Sequence, residues 1–169
     1  SGDQFGRYSV VLSSDASSVF VGSDAATDRG AVYLFTRSGE TWSQAQKIEA
    51  SDKAFYDEFG RSVALSGDYL AVGAPGAGGS AINKGAAYVF KKVDGTWTEQ
   101  DIIVSSDIAN YDQFGTSIAI LADTTKRGML PSITNDVTVI VGAVGDDDNG
   151  GQSGSVYVFR NTTAASHSG

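Results

Sequence analysis

Cysteine is missing from the 169 residues, and histidine occurs once. Without cysteine there is no disulfide, no thiolate nucleophile and no cysteine-ligated zinc. The one histidine, His167, lies in a polar tail, so no Ser/His or Cys/His catalytic arrangement is available. Basic residues are scarce: Lys and Arg number 12 against 20 Asp and Glu, a net charge of −8. That balance excludes a nucleic-acid binder, which relies on Lys and Arg to neutralise phosphates. It equally disfavours an anionic membrane surface. No apolar run approaches the roughly 20 residues of a membrane-spanning helix. No segment keeps a 3.6-residue apolar period for three turns, so helices are not expected. A phosphate-cradling loop of the form GxxxxGK followed by Ser or Thr is absent as well. Acid pairs occur, but nothing in the sequence buries one so as to raise its pKa for acid–base work. The chain is therefore expected to be non-catalytic.

What is abundant is glycine, 21 residues against two prolines, and it is placed periodically. Phe5-Gly6, Phe59-Gly60 and Phe114-Gly115 are spaced 54 and 55 residues apart. Each pair follows an aspartate by one residue: Asp3, Asp57 and Asp112. A second series is "GAVYLF" from Gly30, "GAAYVF" from Gly85 and "GSVYVF" from Gly154. A third is "FVGSD", "AVGAP" and "IVGAV", with Gly73-Ala74-Pro75 in the middle copy. Trp42 and Trp97 form a fourth, also 55 apart. Series that keep register over such spans define one unit stated three times. The boundaries are 1–56, 57–111 and 112–160, followed by a polar tail or linker, 161–169.

Each unit reads as four short strands. In the middle copy, residues 61–66 alternate, with Val63 and Leu65 on one face, and Gly67-Asp68 turns them into residues 69–74. A glycine-rich loop leads to "AAYVFKK", and Asp94-Gly95 turns that into "TWTEQDIIV". The first three strands are apolar or small on both faces, so both faces need cover. The fourth carries Gln44, Gln46 and Lys47, or Glu99, Gln100 and Asp101, as an exposed edge does. The expected fold is all-β: four-stranded antiparallel blades of propeller type, the last lacking its fourth strand, within a larger propeller or array. The first copy has one extra residue after its Phe-Gly, which predicts a bulge. The third carries an insert, Asp123–Asp136.

These motifs resemble the FG-GAP repeat, the blade unit of integrin α-subunit propellers and of many bacterial and algal extracellular proteins. The resemblance spans residues 3–160 and is sharpest in the middle copy, where Phe59-Gly60 and Gly73-Ala74-Pro75 supply both named elements. It implies a β-propeller, an extracellular or cell-surface setting, and a role in adhesion or ligand binding. Family members of the integrin type carry a DxDxDG calcium loop between the first two strands. Here the matching segments, 13–18, 66–69 and 123–136, do not offer three closely spaced carboxylates, so that site is not carried over. Three repeats cannot close a ring. Since the chain starts with Ser, it reads as a processed product or a piece of something longer, completed by protein partners or by copies of itself.

Candidate residues fall into four groups. Asp3, Phe5, Gly6, Asp57, Phe59, Gly60, Asp112, Phe114, Gly115, Gly73, Ala74 and Pro75 are structural, the Phe filling space between blades and the Asp capping the turn. Asp146, Asp147 and Asp148 offer oxygen ligands suited to Ca2+, although Gly150 and Tyr157 occupy positions where an EF-hand loop needs ligands. A loop face gathers Asp24, Asp28, Asp52 and Asp107 beside these acids, for a partner, a glycan or a cation. Trp42 and Trp97 either pack on a neighbouring strand or stack on sugar rings. Asn161-Thr162-Thr163 is a glycosylation sequon. The expected function is a non-catalytic extracellular structural or adhesive module, part of a larger assembly or filament. The alternative is a lectin-like propeller that binds carbohydrate or calcium.

Overall fold

The computed structural model describes residues 4–25, 29–78, 83–123, 136–147 and 153–161. Among them every regular element is a strand. β1 (Val10–Leu12), β2 (Ser18–Ser23), β3 (Ala31–Ser38) and β4 (Thr41–Ile48) form the first sheet, in chain order. β5 (Ser62–Ser66), β6 (Tyr69–Ala74), β7 (Ala86–Val93) and β8 (Thr96–Ile103) form the second. β9 (Phe114–Asp123), β10 (Asp136–Ala143) and β11 (Ser155–Asn161) form a three-stranded third sheet, ordered β11-β10-β9. All pairings are antiparallel, the arrangement of propeller-like blades.

Tight turns explain the meander. Asp94 and Gly95 have φ of 50° and 84° between paired Val93 and Thr96, which suits a two-residue hairpin of type I′. Gly67, at φ 56°, opens the equally short turn between Ser66 and Tyr69. The expected bulge after Phe5-Gly6 is not found. β1 pairs with β2 without a register shift, and the extra residue is taken up in the turn before β1, where Gly22 N–H donates to the Ser9 carbonyl at 3.0 Å. The bulges lie elsewhere, at Leu34/Phe35, Val89/Phe90 and Gly142/Ala143.

Because strand side chains alternate, each sheet has two faces, and the core forms between sheets. Phe20, Val32 and Leu34 of the first sheet pack against Leu70, Val72, Tyr88, Phe90 and Trp97 of the second. Ala71, Ala87 and Val89, on the second sheet's other face, pack against Val137, Val139, Val141 and Ala143 of the third. A sheet's forward face thus meets the rear face of the next. The two tryptophans differ accordingly. Trp97 is buried and meets Phe20 edge-on at 5.2 Å, while Trp42, on the uncovered rear of the first sheet, is exposed. Gln46 ties the outer strands: its Nε2 donates to the Trp97 carbonyl, and Trp97 N–H donates to its Oε1, both at 2.9 Å.

Candidate functional site

The thrice-repeated Phe-Gly is a joint between sheets. Its turn comes first. Arg61 N–H donates to the Glu58 carbonyl at 3.1 Å, and Gly60 sits third in that turn with φ 93°. A four-residue turn with positive φ at its third position is of type II and favours glycine there. Thr116 N–H to Gln113 O with Gly115 at 95°, and Arg7 N–H to Gln4 O with Gly6 at 69°, repeat it. The residue before each Phe, Gln4, Glu58 or Gln113, is also left-handed, at 51°, 57° and 55°. Such non-glycine residues are uncommon and cost of order 1 kcal/mol each.

That turn throws the Phe ring onto the third strand of its own sheet. Phe59 meets Tyr88 at 5.2 Å and Phe90 at 6.0 Å; Phe114 meets Tyr157 at 5.4 Å and Phe159 at 5.9 Å; Phe5 meets Tyr33 at 5.5 Å and Phe35 at 6.0 Å. The preceding sheet then closes over ring and backbone. Phe59 N–H donates to the Arg29 carbonyl at 3.3 Å and Phe114 N–H to the Lys84 carbonyl at 2.9 Å, and Gly30 and Gly85 bridge the same phenylalanines in parallel. Ser9 Oγ donates to the Gly60 carbonyl at 2.9 Å, and Ser62 Oγ to the Gly115 carbonyl at 2.8 Å. Phe59 and Phe114 are fully buried, but Phe5, with no sheet behind it, is 53% exposed.

Gly22 and Gly73 owe their identity to this joint. A Cβ on Gly22 would stand 2.1 Å from the Gly60 carbonyl oxygen, and one on Gly73 2.0 Å from that of Gly115. Neither has a positive φ, so closeness alone demands glycine. A Cβ on Gly76, just beyond Pro75, would likewise stand 1.9 Å from the Tyr56 carbonyl oxygen.

The acidic residues divide by burial. Asp57 and Asp112 are buried in the joint, and their Oδ2 atoms accept the N–H of Ala54 at 2.5 Å and of Ala109 at 2.6 Å. Burial pushes the Asp57 carboxyl above the usual carboxylate range. Asp24 is buried against Arg61, 3.2 Å away. Asp146 is buried and accepts the Tyr157 hydroxyl at 2.7 Å; exposed Asp52 accepts that of Tyr88 at 3.0 Å. Burial, with the nearby carboxylate, pushes both phenols up. Of the described loop acids, then, Asp52, Asp107 and Asp147 are exposed, while Asp24, Asp57, Asp112 and Asp146 are buried and hold turns, an arginine or a tyrosine. Asp15, fully exposed in the turn between β1 and β2, accepts from Ser13 and Ser17 hydroxyls, which with the Ser17 amide draw its pKa down to about 2. Among the described residues no group of three or more His, Cys, Asp or Glu is placed to hold a metal.

Asp3, Asp28, Asp148, the Asn149-Gly150 turn, residues 124–135 of the insert and the tail from Thr162 lie outside the described residues. Ala74 is buried and ends β6, Pro75 follows it, and Asn161 ends β11, its backbone paired with Val137.

With this geometry the chain can be compared with known proteins. The FG-GAP repeat matches residues 42–90, 97–125 and 131–159. The chain belongs to the FG-GAP repeat family. No curated protein matches it. The FG-GAP matches are offset from the sheets: the first starts on the outer strand β4 and runs through β5–β7 of the next sheet. The second and third take β8 with β9, then β10 with β11. The first two matches therefore each span two sheets, with a Phe-Gly joint at the crossing, while the third lies within the third sheet. Residues 1–41 fall outside the matches, yet Phe5-Gly6 there builds the same turn and ring contacts.

Proposed function

We propose that the chain is a non-catalytic, extracellular structural or adhesive module, acting through the faces of its sheets within a larger assembly. One observation carries this reading. The repeated polar and aromatic residues are spent on joining sheet to sheet, while the two end faces remain apolar and exposed, with Phe5, Val10, Leu12 and Trp42 on one and Leu121, Ile140, Val156 and Val158 on the other. Soluble chains seldom leave contiguous apolar patches uncovered unless they bind something there. The FG-GAP family, whose repeats are typical of extracellular domains, supports the location, and the Asn161 sequon is compatible with it.

The alternative, a surface that holds a cation or a glycan, is favoured by two buried carboxylate oxygens without a hydrogen-bond partner, Asp24 Oδ1 and Asp57 Oδ1. The two readings separate on beads coated with the chain. Clumping that persists with a chelator and free monosaccharides present is the expected result. Dispersed beads, or clumps that dissolve on adding chelator or sugar, would overturn the structural reading, and a lowered melting midpoint on chelation would favour the alternative.

A further inference from the structure

Two tyrosines stand where the backbone favours a different residue. Tyr56 and Tyr111 hold equivalent places, 55 residues apart, in the loops that lead from one sheet into the next. Both are left-handed, with φ of 70° and 73°. The packing fixes that backbone. Each carbonyl lies against a glycine two residues beyond the middle strand of the sheet it leads into. A Cβ on Gly76 would stand 1.9 Å from the Tyr56 oxygen, and one on Gly145 2.0 Å from that of Tyr111. Glycine or asparagine meets such a φ most easily, and for a bulky side chain it is an outlier. Nothing in the packing asks for a ring: Tyr56 is 68% exposed and Tyr111 60%. Among the described residues no cation covers either ring. Their exposure does not depend on where the sequence begins or ends, because a sheet stands on each side of both loops. An unfavourable backbone that twice carries an idle aromatic marks a surface kept for binding.

The surroundings indicate the chemistry of what binds. Asp52 in the first loop and Asp107 in the second are exposed, and Glu58 is half-exposed. The nearby cations are engaged. Arg29 lies over Phe55, 4.5 Å from its ring centroid; Lys53 is held by Glu49 at 2.8 Å and Arg61 by Asp24 at 3.2 Å. Residues 104–113 of the second loop contain neither Lys nor Arg. Arg29 also shows a mode of recognition, since the ring it covers is the one next to Tyr56. A ring face attracts a cation, and a carboxylate close by adds to the pull. We propose that these two loops bind a cationic polypeptide, with one Lys or Arg side chain seated on Tyr56 and another on Tyr111. Sheets packed face to face stand about 10 Å apart, so the two seats repeat at about that pitch. A polyproline II strand sets side chains three residues apart on one edge at roughly 9 Å, so lysine at every third position matches the seats. The site lies on the loops and not on the sheet faces invoked above, so it stands or falls apart from that reading.

Fluorescence anisotropy tests it, with the full chain titrated into a labelled proline-rich peptide whose two lysines are separated by two prolines. The peptide should bind, and more weakly as salt rises. Tyr56→Ser and Tyr111→Ser should each weaken binding roughly threefold, and together roughly tenfold, as the loss of exposed cation–π contacts does. Tyr56→Phe with Tyr111→Phe keeps both rings and should bind as the wild type does. All of these variants should melt with the wild type, since neither side chain is packed. The same peptide with glutamate in place of lysine should not bind. Absence of binding by the lysine peptide overturns the site. Binding that both serine substitutions leave unchanged also overturns it, because attraction to net charge alone behaves in that way. A third contrary result is binding of dextran, a neutral polysaccharide, that the serine substitutions abolish while the lysine peptide is unaffected; the rings would then stack on sugars.

Discussion

Alanine at Gly73 is expected to destabilise the chain by about 1–3 kcal/mol or more, the range for forcing extra volume into a packed interior. The same change at Gly142 is expected to stay within about 0.5 kcal/mol, as surface substitutions do. Sequence context does not separate these glycines; both lie in the middle strand of a sheet, in "AVGAP" and "IVGAV". What separates them is the neighbour. At Gly73 the added carbon would lie 2.0 Å from the Gly115 carbonyl and 2.3 Å from Ser62 Oγ, so the second and third sheets would have to part and the Ser62–Gly115 hydrogen bond would break. At Gly142 no other sheet is in reach. Thermal melting at a concentration that keeps the chain dispersed would read the difference, at roughly 2–4 °C per kcal/mol for a domain of this size. Equal shifts at both positions would show that glycine serves the strand and not the joint.

Removing the ring of Phe59 is expected to cost about 3–5 kcal/mol, the usual price of a buried Phe→Ala change. Phe5→Ala is expected to cost about 1 kcal/mol or less, since its ring is half in water already. The comparison is unusually clean. Both rings follow the same turn and rest on the same Tyr and Phe of a third strand, with centroid distances of 5.5 and 6.0 Å for Phe5 against 5.2 and 6.0 Å for Phe59. They differ in whether a preceding sheet covers them. Urea unfolding followed by tryptophan fluorescence would measure both, with Trp97 reporting on the first joint directly. A similar loss for the two variants would mean that Phe-Gly stabilises its own sheet alone.

Much of this architecture was legible because period and alternation are properties of sequence. The 55-residue register located every strand of the second sheet, and the polar character of β4 and β8 marked them as outer strands. The identity of Phe59 as a filler between sheets also followed from pattern. Other features depend on which neighbour is present. Trp42 and Trp97 are equivalent in sequence, yet one is exposed and one buried, because a sheet stands behind the second and not the first. Asp57 and Asp112 cap turns as the pattern suggested, but Asp24 and Asp146, read as ligands for a partner, a glycan or a cation, are buried against an arginine and a tyrosine hydroxyl. Composition does not reveal such partners, since they come from other turns and strands. The left-handed Glu58 and Gln113 left no mark at all: neither is a residue type that announces positive φ. The misplaced bulge has a simple cause, as an extra residue costs least in an unpaired turn and β1 is too short to hold it.

Amide hydrogen exchange at Phe5, Phe59 and Phe114, in the dispersed chain, tests most directly whether Phe-Gly joins the sheets into one stack. Phe59 and Phe114 donate across the sheet boundary to Arg29 and Lys84, and both are buried. Their amides should be protected as strongly as those in the middle of β6, while that of Phe5 exchanges quickly. Fast exchange at all three would contradict the joint and leave three sheets that merely touch.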